Sequence, residues 1–407
     1  MRTIEVRLDW GGQRSVVGTL AEEGQRIYFE YDASFLKTPL PISPFRLAAR
    51  PGLMEHVDRE FAPVFGVFDD SLPDSWGLLL MDREFKKQGR GIAGISPLDR
   101  LAYIGTRAMG ALTYHPPLPD GEAGPLDVDL GVLAREAGRV LEGGADEVLP
   151  ALRIAGGSPG GARPKVLVGV REDGRMIAGT AELPDGYRHF IIKFAAGEDG
   201  PHVGTVEAAY ALMAAEAGLD MPPTRLFETL DGGRYFGAER FDRRGKARFH
   251  MHSLGGLFHA SHRVASMDYE GFLRTTRALT RDQRQVDEAY RRMVFNVVAH
   301  NRDDHVKNFS FLMDRNGKWK LAPGYDLTFS EGPGRQHTMD VAGEAERPGN
   351  RHMLRVAELC DVDSRIAQEI IEQVRDAVAA WPHFASTAGV PGETAQQIRR
   401  LLATRAG

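Results

Sequence analysis

Apolar side chains open the chain at every second position. Ile4, Val6, Leu8 and Trp10 share one side of an extended backbone, with Glu5, Arg7 and Asp9 on the other, which predicts a half-buried strand. Ile27 to Tyr31 predicts a second strand beyond a turn at Gly24. The period lengthens at about Trp76 to Lys87, a predicted helix with Asp74 or Ser75 as its cap. Pro116 to Pro125 carries prolines and glycines that break both helix and strand, and reads as a linker. A helical connector follows near Asp127 to Glu142, then a strand-rich stretch from Pro164 to Arg240 interrupted by one helix at Val203 to Gly218. From Tyr269 onward the period is helical. Val286, Tyr290, Met293, Val294, Val297 and Val298 form one stripe; Ile366, Ile370, Val374 and Val378 form another behind Ser364 as cap. The pattern predicts an α+β chain in which a small β-rich N-terminal domain (1–115) is followed by a linker and connector (116–150). A β-rich then helical core (151–385) and a C-terminal helix (386–407) complete it.

Composition narrows the class. The 407 residues are 42% hydrophobic and 26% charged, the content of a globular chain too long for one core. The net charge of −5 argues against nucleic-acid binding through the chain's own surface and leaves contact with DNA to a partner. The single cysteine, Cys360, excludes an internal disulfide and suits a reducing compartment. The first residues lack a signal peptide's apolar core, and no apolar run is long enough for a bilayer helix. A cytoplasmic location with no membrane association is expected.

The most informative segment is Asn301-Arg-Asp-Asp-His-Val-Lys-Asn308, a polar octet between an apolar helix and the strand-like run Phe309 to Met313. Asp303 and Asn308 stand five residues apart, the spacing with which kinases place a carboxylate against a substrate hydroxyl and an amide against a metal. An isolated Asp-x-x-x-x-Asn is common in polar turns, so the octet's setting matters. Eighteen positions beyond Asn308, after a hairpin turning at Asn316-Gly317, Asp326 lies in Leu321-Ala-Pro-Gly-Tyr-Asp-Leu327. Asn308 and Asp326 offer the hard oxygens that magnesium takes alongside phosphate. Upstream, Ala155 to Lys165 is glycine-rich and suited to close approach by phosphate oxygens. Lys193 sits in the apolar run His189-Phe-Ile-Ile-Lys-Phe194, and Glu207 on the next helix is its natural partner. Singly each has an ordinary structural explanation. In this order they predict a protein-kinase-like, two-lobed core using ATP and Mg2+.

These segments resemble the HipA family of bacterial serine/threonine kinase toxins. The likeness rests on Phe68-Asp-Asp-Ser-Leu-Pro-Asp-Ser-Trp-Gly77, Gly157 to Lys165, Glu239-Arg-Phe-Asp-Arg243, the Asn301–Asn308 octet and Ala322-Pro-Gly-Tyr-Asp326. The resemblance implies Asp303 as catalytic base and Asn308 and Asp326 as metal ligands. It implies Lys193 on the phosphates, with Gly160, Gly161, Ala162, Arg163, Pro164 and Lys165 covering them. Glu239, Arg240 and Phe241 would form the adenine hinge, and His305, Lys307, Glu207 and Tyr325 complete the cofactor-binding set. Ser158 matches the serine that the family autophosphorylates. It further implies a small helix-turn-helix antitoxin (HipB-like) as partner, DNA contact only through it, and a protein substrate such as an aminoacyl-tRNA synthetase. Asp326 is followed by Leu-Thr, unlike ordinary protein kinases, and no Ala-Pro-Glu motif appears.

Two other readings share parts of this pattern: a small-molecule phosphotransferase with the same Asp/Asn/Asp set, and a catalytically idle corepressor of a DNA-binding partner. His250, His252, His259, His262, His300 and His305 fit no standard zinc spacing. The Leu72-Pro-Asp-Ser-Trp76 segment reads as structural, with Pro73 and Asp74 starting a helix and Trp76 in the core. Trp381 and Phe384 read as core anchors.

Overall fold

The computed structural model describes residues 1–58, 60–118, 124–144, 150–156, 163–197, 200, 202–264 and 266–403. The alternating opening forms β1 (Arg2–Asp9), β2 (Arg14–Glu23) and β3 (Arg26–Tyr31). With β4 (Met54–Glu55) and β5 (Leu112–His115) they make an antiparallel sheet ordered β4-β3-β2-β1-β5. Ile4, Val6 and Leu8 are buried as the alternation predicts. Trp10 falls just outside, because the strand ends at Asp9 and the Trp10 amide turns to the Gln13 carbonyl. The short α1 (Gly66–Asp69), α2 (Ser75–Lys87) and α3 (Pro97–Ile104) accompany this sheet. Ser96 and Asp99 close a capping box on α3.

The middle of the chain adds β6 (Leu126–Asp127), α4 (Leu130–Leu141) and α5 (Pro150–Gly156). The connector helix starts later than its sequence suggests, since Asp127 pairs in β6 and Asp129 caps α4 at the Val132 amide, 2.8 Å away. A second sheet, ordered β10-β11-β9-β7-β8-β6, contains β7 (Lys165–Arg171), β8 (Met176–Ala178), β9 (Tyr187–Lys193), β10 (Thr224–Glu228) and β11 (Arg234–Glu239). Between β9 and β10 lies α6 (Val203–Glu216).

The remainder is chiefly helical. After the small hairpin β12–β13 (Arg243–Arg244, Ala247–Arg248), strand β14 (His250–Ser253) leads into α7 (Leu254–Phe258). Helices α8 (Tyr269–Thr280) and α9 (Gln283–Val298) precede the hairpin β15 (Ser310–Met313) and β16 (Trp319–Leu321), which pairs with β14. Then come α10 (Asn350–Leu359), α11 (Ser364–Ala379), α12 (Trp381–Ala388) and α13 (Gly392–Ala403). The whole α9 stripe is buried, as are Trp381 and Phe384. The cap of α11 is Asp363 rather than Ser364. Its carboxylate accepts the Arg365 and Ile366 amides at 3.0 and 3.1 Å, a stronger acceptor one residue earlier than the serine. The segment after the core is two helices, because Gly389 adopts a left-handed conformation (φ 71°) between α12 and α13. Among the described residues no helix is long and apolar enough to cross a membrane.

One close approach joins the N-terminal sheet to the rest. A Cβ on Gly66 would lie 2.0 Å from the Gly256 carbonyl oxygen, and one on Gly256 2.5 Å from Asp70 Oδ2, so glycine at 66 lets α1 meet the α7 backbone and glycine at 256 leaves room for the Asp70 carboxylate. That contact brings Asp69 and Asp70 to the edge of a cleft between the second sheet and the helical part.

Candidate active site

The octet leaves α9 through His300, whose left-handed backbone (φ 57°) turns the chain sharply. Its neighbours then separate by role. Asn301 is buried and donates to Asn296 Oδ1 at 2.9 Å. Asp304 is buried and saturated: its Oδ2 accepts from Tyr269 Oη at 2.6 Å and His337 Nδ1 at 2.7 Å, and its Oδ1 from the Thr338 amide at 2.8 Å. Asp303 is instead 54% exposed at the cleft edge, with His305 Nε2 4.0 Å from its Oδ1. The Asn308 amide donates to the Asp303 carbonyl at 2.7 Å, which closes the loop and sets the two residues beside each other. One fixed aspartate thus holds the loop while the adjacent one faces solvent.

Across the cleft, β7 and β9 pair Lys165 with Lys193, which puts both ammonium groups on one face. Lys193 is held between two carboxylates, Glu207 from α6 and Asp326 beyond β16, in direct ion pairs. Asp326 has a left-handed backbone (φ 53°), a conformation that aspartate tolerates better than most residues and that turns up at functional sites. Burial acts to lower the Lys193 pKa, but Asp326 and Glu207 outweigh it and raise it. Burial likewise acts against ionised Asp326, yet Lys193 and Lys165 hold its carboxyl well below the usual range. Burial lowers the Lys165 pKa and raises that of Glu207. The net effect is an ionised carboxylate, one-third exposed, facing the cleft beside two amines.

The cleft encloses about 550 Å3 and is bordered by Arg163, Lys165, Lys193, Glu207, Asp303, His305, Lys307, Asn308, Tyr325 and Asp326. Glu239, Arg240 and Phe241 border it too. Phe241 packs on Tyr325 with ring centres 5.5 Å apart, and Tyr325 Oη donates to the Lys307 carbonyl at 2.7 Å. The Arg240 guanidinium turns away to clasp Asp242 at 2.9 and 2.7 Å. Pro164 is outside the lining, its carbonyl accepting the Phe194 amide at 2.8 Å. Ser158, Gly160, Gly161 and Ala162 lie outside the described residues. The histidines go separate ways: His250 to the Ile42 carbonyl, His252 to Asp70, His259 to the Gly66 amide and His262 against the His305 ring.

Comparison with known families assigns both parts of the chain. Residues 10–115 match the HipA N-terminal domain and residues 157–381 match the HipA-like C-terminal domain. This chain belongs to the HipA family. It is 27% identical over 351 residues to Y4mE of Sinorhizobium fredii, a candidate kinase by its name, covering 78% of this chain and 75% of that one. It also superposes on a chain of the solved Shewanella oneidensis complex of the toxin–antitoxin system HipA and HipB with operator DNA. That match has a TM-score of 0.74 at 16% identity and covers 99% of this chain and 96% of the other. The α+β fold is therefore that of HipA.

In this HipA-family chain the N-terminal part also lines the cleft, which reading the sequence missed. Lys307 Nζ lies 3.0 Å from Asp74 Oδ1 and 3.6 Å from Asp69 Oδ2. Burial, with Asp70 and Asp74 nearby, pushes the Asp69 carboxyl up to about 6 against the pull of Lys307. Trp76 is buried as expected, but its indole also donates to the Lys165 carbonyl at 3.0 Å, gripping β7 where it meets the cleft. The available signal is three aspartates within Phe68-Asp-Asp-Ser-Leu-Pro-Asp74, of which Asp70 holds His252 and Ser253 while Asp69 and Asp74 meet Lys307.

The donor set fits magnesium and a polyphosphate. Asn308 and Asp326 present an amide and an ionised carboxylate as hard oxygen ligands. Lys193, Lys165 and Arg163 supply positive charge on the facing wall.

Proposed function

We propose that this chain is an ATP- and Mg2+-dependent protein serine/threonine kinase, acting in the cytoplasm as the toxin of a bacterial toxin–antitoxin pair. The observation that carries the reading is the split of charges across one cleft: Lys193 between Glu207 and Asp326 on one wall, exposed Asp303 on the other. Lys193 and Lys165 bind and orient the ATP phosphates. Asn308 and Asp326 would hold magnesium, which supplies charge neutralisation at the phosphate oxygens. Asp303 orients the incoming serine or threonine hydroxyl and accepts its proton as that oxygen bonds to the γ-phosphorus and ADP leaves. The packed Phe241 and Tyr325 rings, with Glu239, border the space for the base.

Membership of the HipA family and the likeness to a chain solved with HipB and operator DNA support a small helix-turn-helix antitoxin as partner. The net charge of −5 supports DNA contact through that partner alone. The family resemblance supports a translation-related protein substrate such as an aminoacyl-tRNA synthetase, and Ser158 as an autophosphorylation site. The test is transfer from labelled ATP by Asp303→Asn. The amide keeps the shape but cannot accept the proton, so transfer should fall by about 10²–10⁴-fold with ATP binding retained. Full transfer by that variant would refute the assignment.

A further inference from the structure

Away from the cleft, three carboxylates meet at the start of α8. Asp268, Glu270 and Asp340 each bring one oxygen within 4.8 Å of the other two. Asp268 and Glu270 flank Tyr269, and Asp340 comes from the segment between β16 and α10. Part of each environment is ordinary. Asp268 Oδ1 caps α8 at the Gly271 amide, 2.7 Å away, and Asp340 Oδ1 accepts the Gly343 amide at 2.7 Å. Glu270 is accounted for only in part, since its carboxylate also draws on its own amide and that of Ala342. It is 7% exposed, and its Oε2 is buried with no hydrogen-bond partner. None of the three forms an ion pair among the described residues. Burial, with the carboxylates of Asp268 and Asp340, raises the Glu270 pKa against the pull of the Glu270 and Ala342 amides. A helix N-terminus favours one acidic side chain, but it does not explain a buried oxygen without a hydrogen-bond partner on a carboxylate grouped with two others.

We propose that Asp268, Glu270 and Asp340 form a binding site for a hard divalent cation of calcium's size, distinct from the cleft. Calcium takes carboxylate oxygens in flexible geometry, whereas magnesium demands near-ideal octahedral geometry and sheds its water reluctantly, so three carboxylates from two separate segments suit the larger ion. Three carboxylates and water complete an oxygen shell, and the ion removes both the mutual repulsion and the unpaired buried oxygen. The site would tie α8 to the loop that anchors the octet. The Tyr269 amide donates to the Asp340 carbonyl at 3.1 Å. The Tyr269 hydroxyl binds Asp304, whose other partners, His337 and Thr338, lie just before Asp340.

The experiment uses the full chain, stripped with chelator and free of nucleotide, in thermal melts with CaCl2, MnCl2 or MgCl2 and in terbium luminescence titrations. Calcium at 5 mM should raise the melting temperature by on the order of 2 °C, with half-saturation on the order of 10⁻⁴–10⁻³ M. Magnesium at the same concentration should do less. Glu270→Gln and Asp340→Asn should each abolish the calcium effect, while Asp326→Asn, in the cleft, should retain it. Metal-free Glu270→Gln should melt no lower than the metal-free parent, because it relieves repulsion; a merely structural carboxylate would give the opposite. If Glu270→Gln fails to fold, Asp340→Asn carries the same test. Absence of a calcium effect in the parent, or its loss in Asp326→Asn with retention in Glu270→Gln, would overturn the proposal. The readout is ion binding, so it stands or falls separately from the kinase reading.

Discussion

Two charge clusters sit within this chain and answer to opposite demands. At the joint between the N-terminal sheet and β12–β13, Asp242 is wholly buried. It accepts from Arg240 at 2.9 and 2.7 Å, Arg243 at 2.7 Å and the Gly110 amide at 2.7 Å. Arg243 in turn donates to the Gly110 and Ala108 carbonyls at 2.7 and 3.0 Å, and Arg248 to the Thr106 carbonyl at 3.1 Å. Asp242 is held strongly ionised: burial opposes its charge, but Arg240 and Arg243 outweigh it. Almost every partner there is backbone or another buried charge, so a ligand has nothing to displace. In the cleft, the triad of Lys193, Glu207 and Asp326 is built of the same charges, yet Asp326 is one-third exposed and its partner is an amine on a flexible four-carbon stem. The joint is enclosed, its one carboxylate fully engaged, and it fastens two parts of the fold. The cleft keeps one partner exchangeable, as a binding site must.

Three substitutions test this contrast. The largest effect is expected at the joint. Asp242→Ala strands two buried guanidinium groups and should cost about 3–5 kcal/mol in urea unfolding, while Mg-ATP titrated into the surviving folded fraction should bind with unchanged affinity. Second, Asp326→Asn should do the reverse. Asparagine tolerates the left-handed backbone and Glu207 still neutralises Lys193, so the melting temperature should move little. Affinity for nucleotide with magnesium, measured by calorimetry, should fall on the order of 100-fold with the loss of a charged ligand. A stability loss at Asp326 as large as that at Asp242 would erase the distinction. The smallest effect is a pH dependence on the N-terminal wall of the cleft. The folded pKa of Asp69 is raised to about 6 from 3.8, so its proton is bound more tightly in the folded state. Its contribution is most favourable below about pH 4 and is lost as pH rises through about 6. Relative to Asp69→Asn, the parent should therefore lose about 2 kcal/mol between pH 4 and pH 7 in matched unfolding curves. A flat difference would place Asp69 in a more solvated setting.

What the sequence made legible follows from how locally each feature is encoded. Asp303 and Asn308 lie on one loop, and their spacing shows in the text. Lys193 announces itself as a charge in an apolar strand, and the α9 stripe as a period. Features made by distant segments were hidden. Asp74 meets Lys307 across more than two hundred residues, and no local pattern marks that encounter. Arg240 reads as part of a hinge because its neighbours do, while its side chain is claimed by Asp242 two residues on. Ser364 looked like a cap because serine is a good one, but an aspartate stood one place nearer the helix axis's free amides. Such choices between adjacent candidates are settled by acceptor strength and reach, which a residue pattern alone does not rank.

The grip of Trp76 on the Lys165 carbonyl has a bearing on modularity. One wall of the cleft is fastened by a side chain that belongs to the first part of the chain, so residues 157–381 on their own lack a component of their cavity. Recombining relatives at the boundary near residue 116 would therefore separate a lock from its key. A chimera should work only when the donor of the first segment carries an indole at this position, and a library of such exchanges would sort by that residue rather than by overall identity.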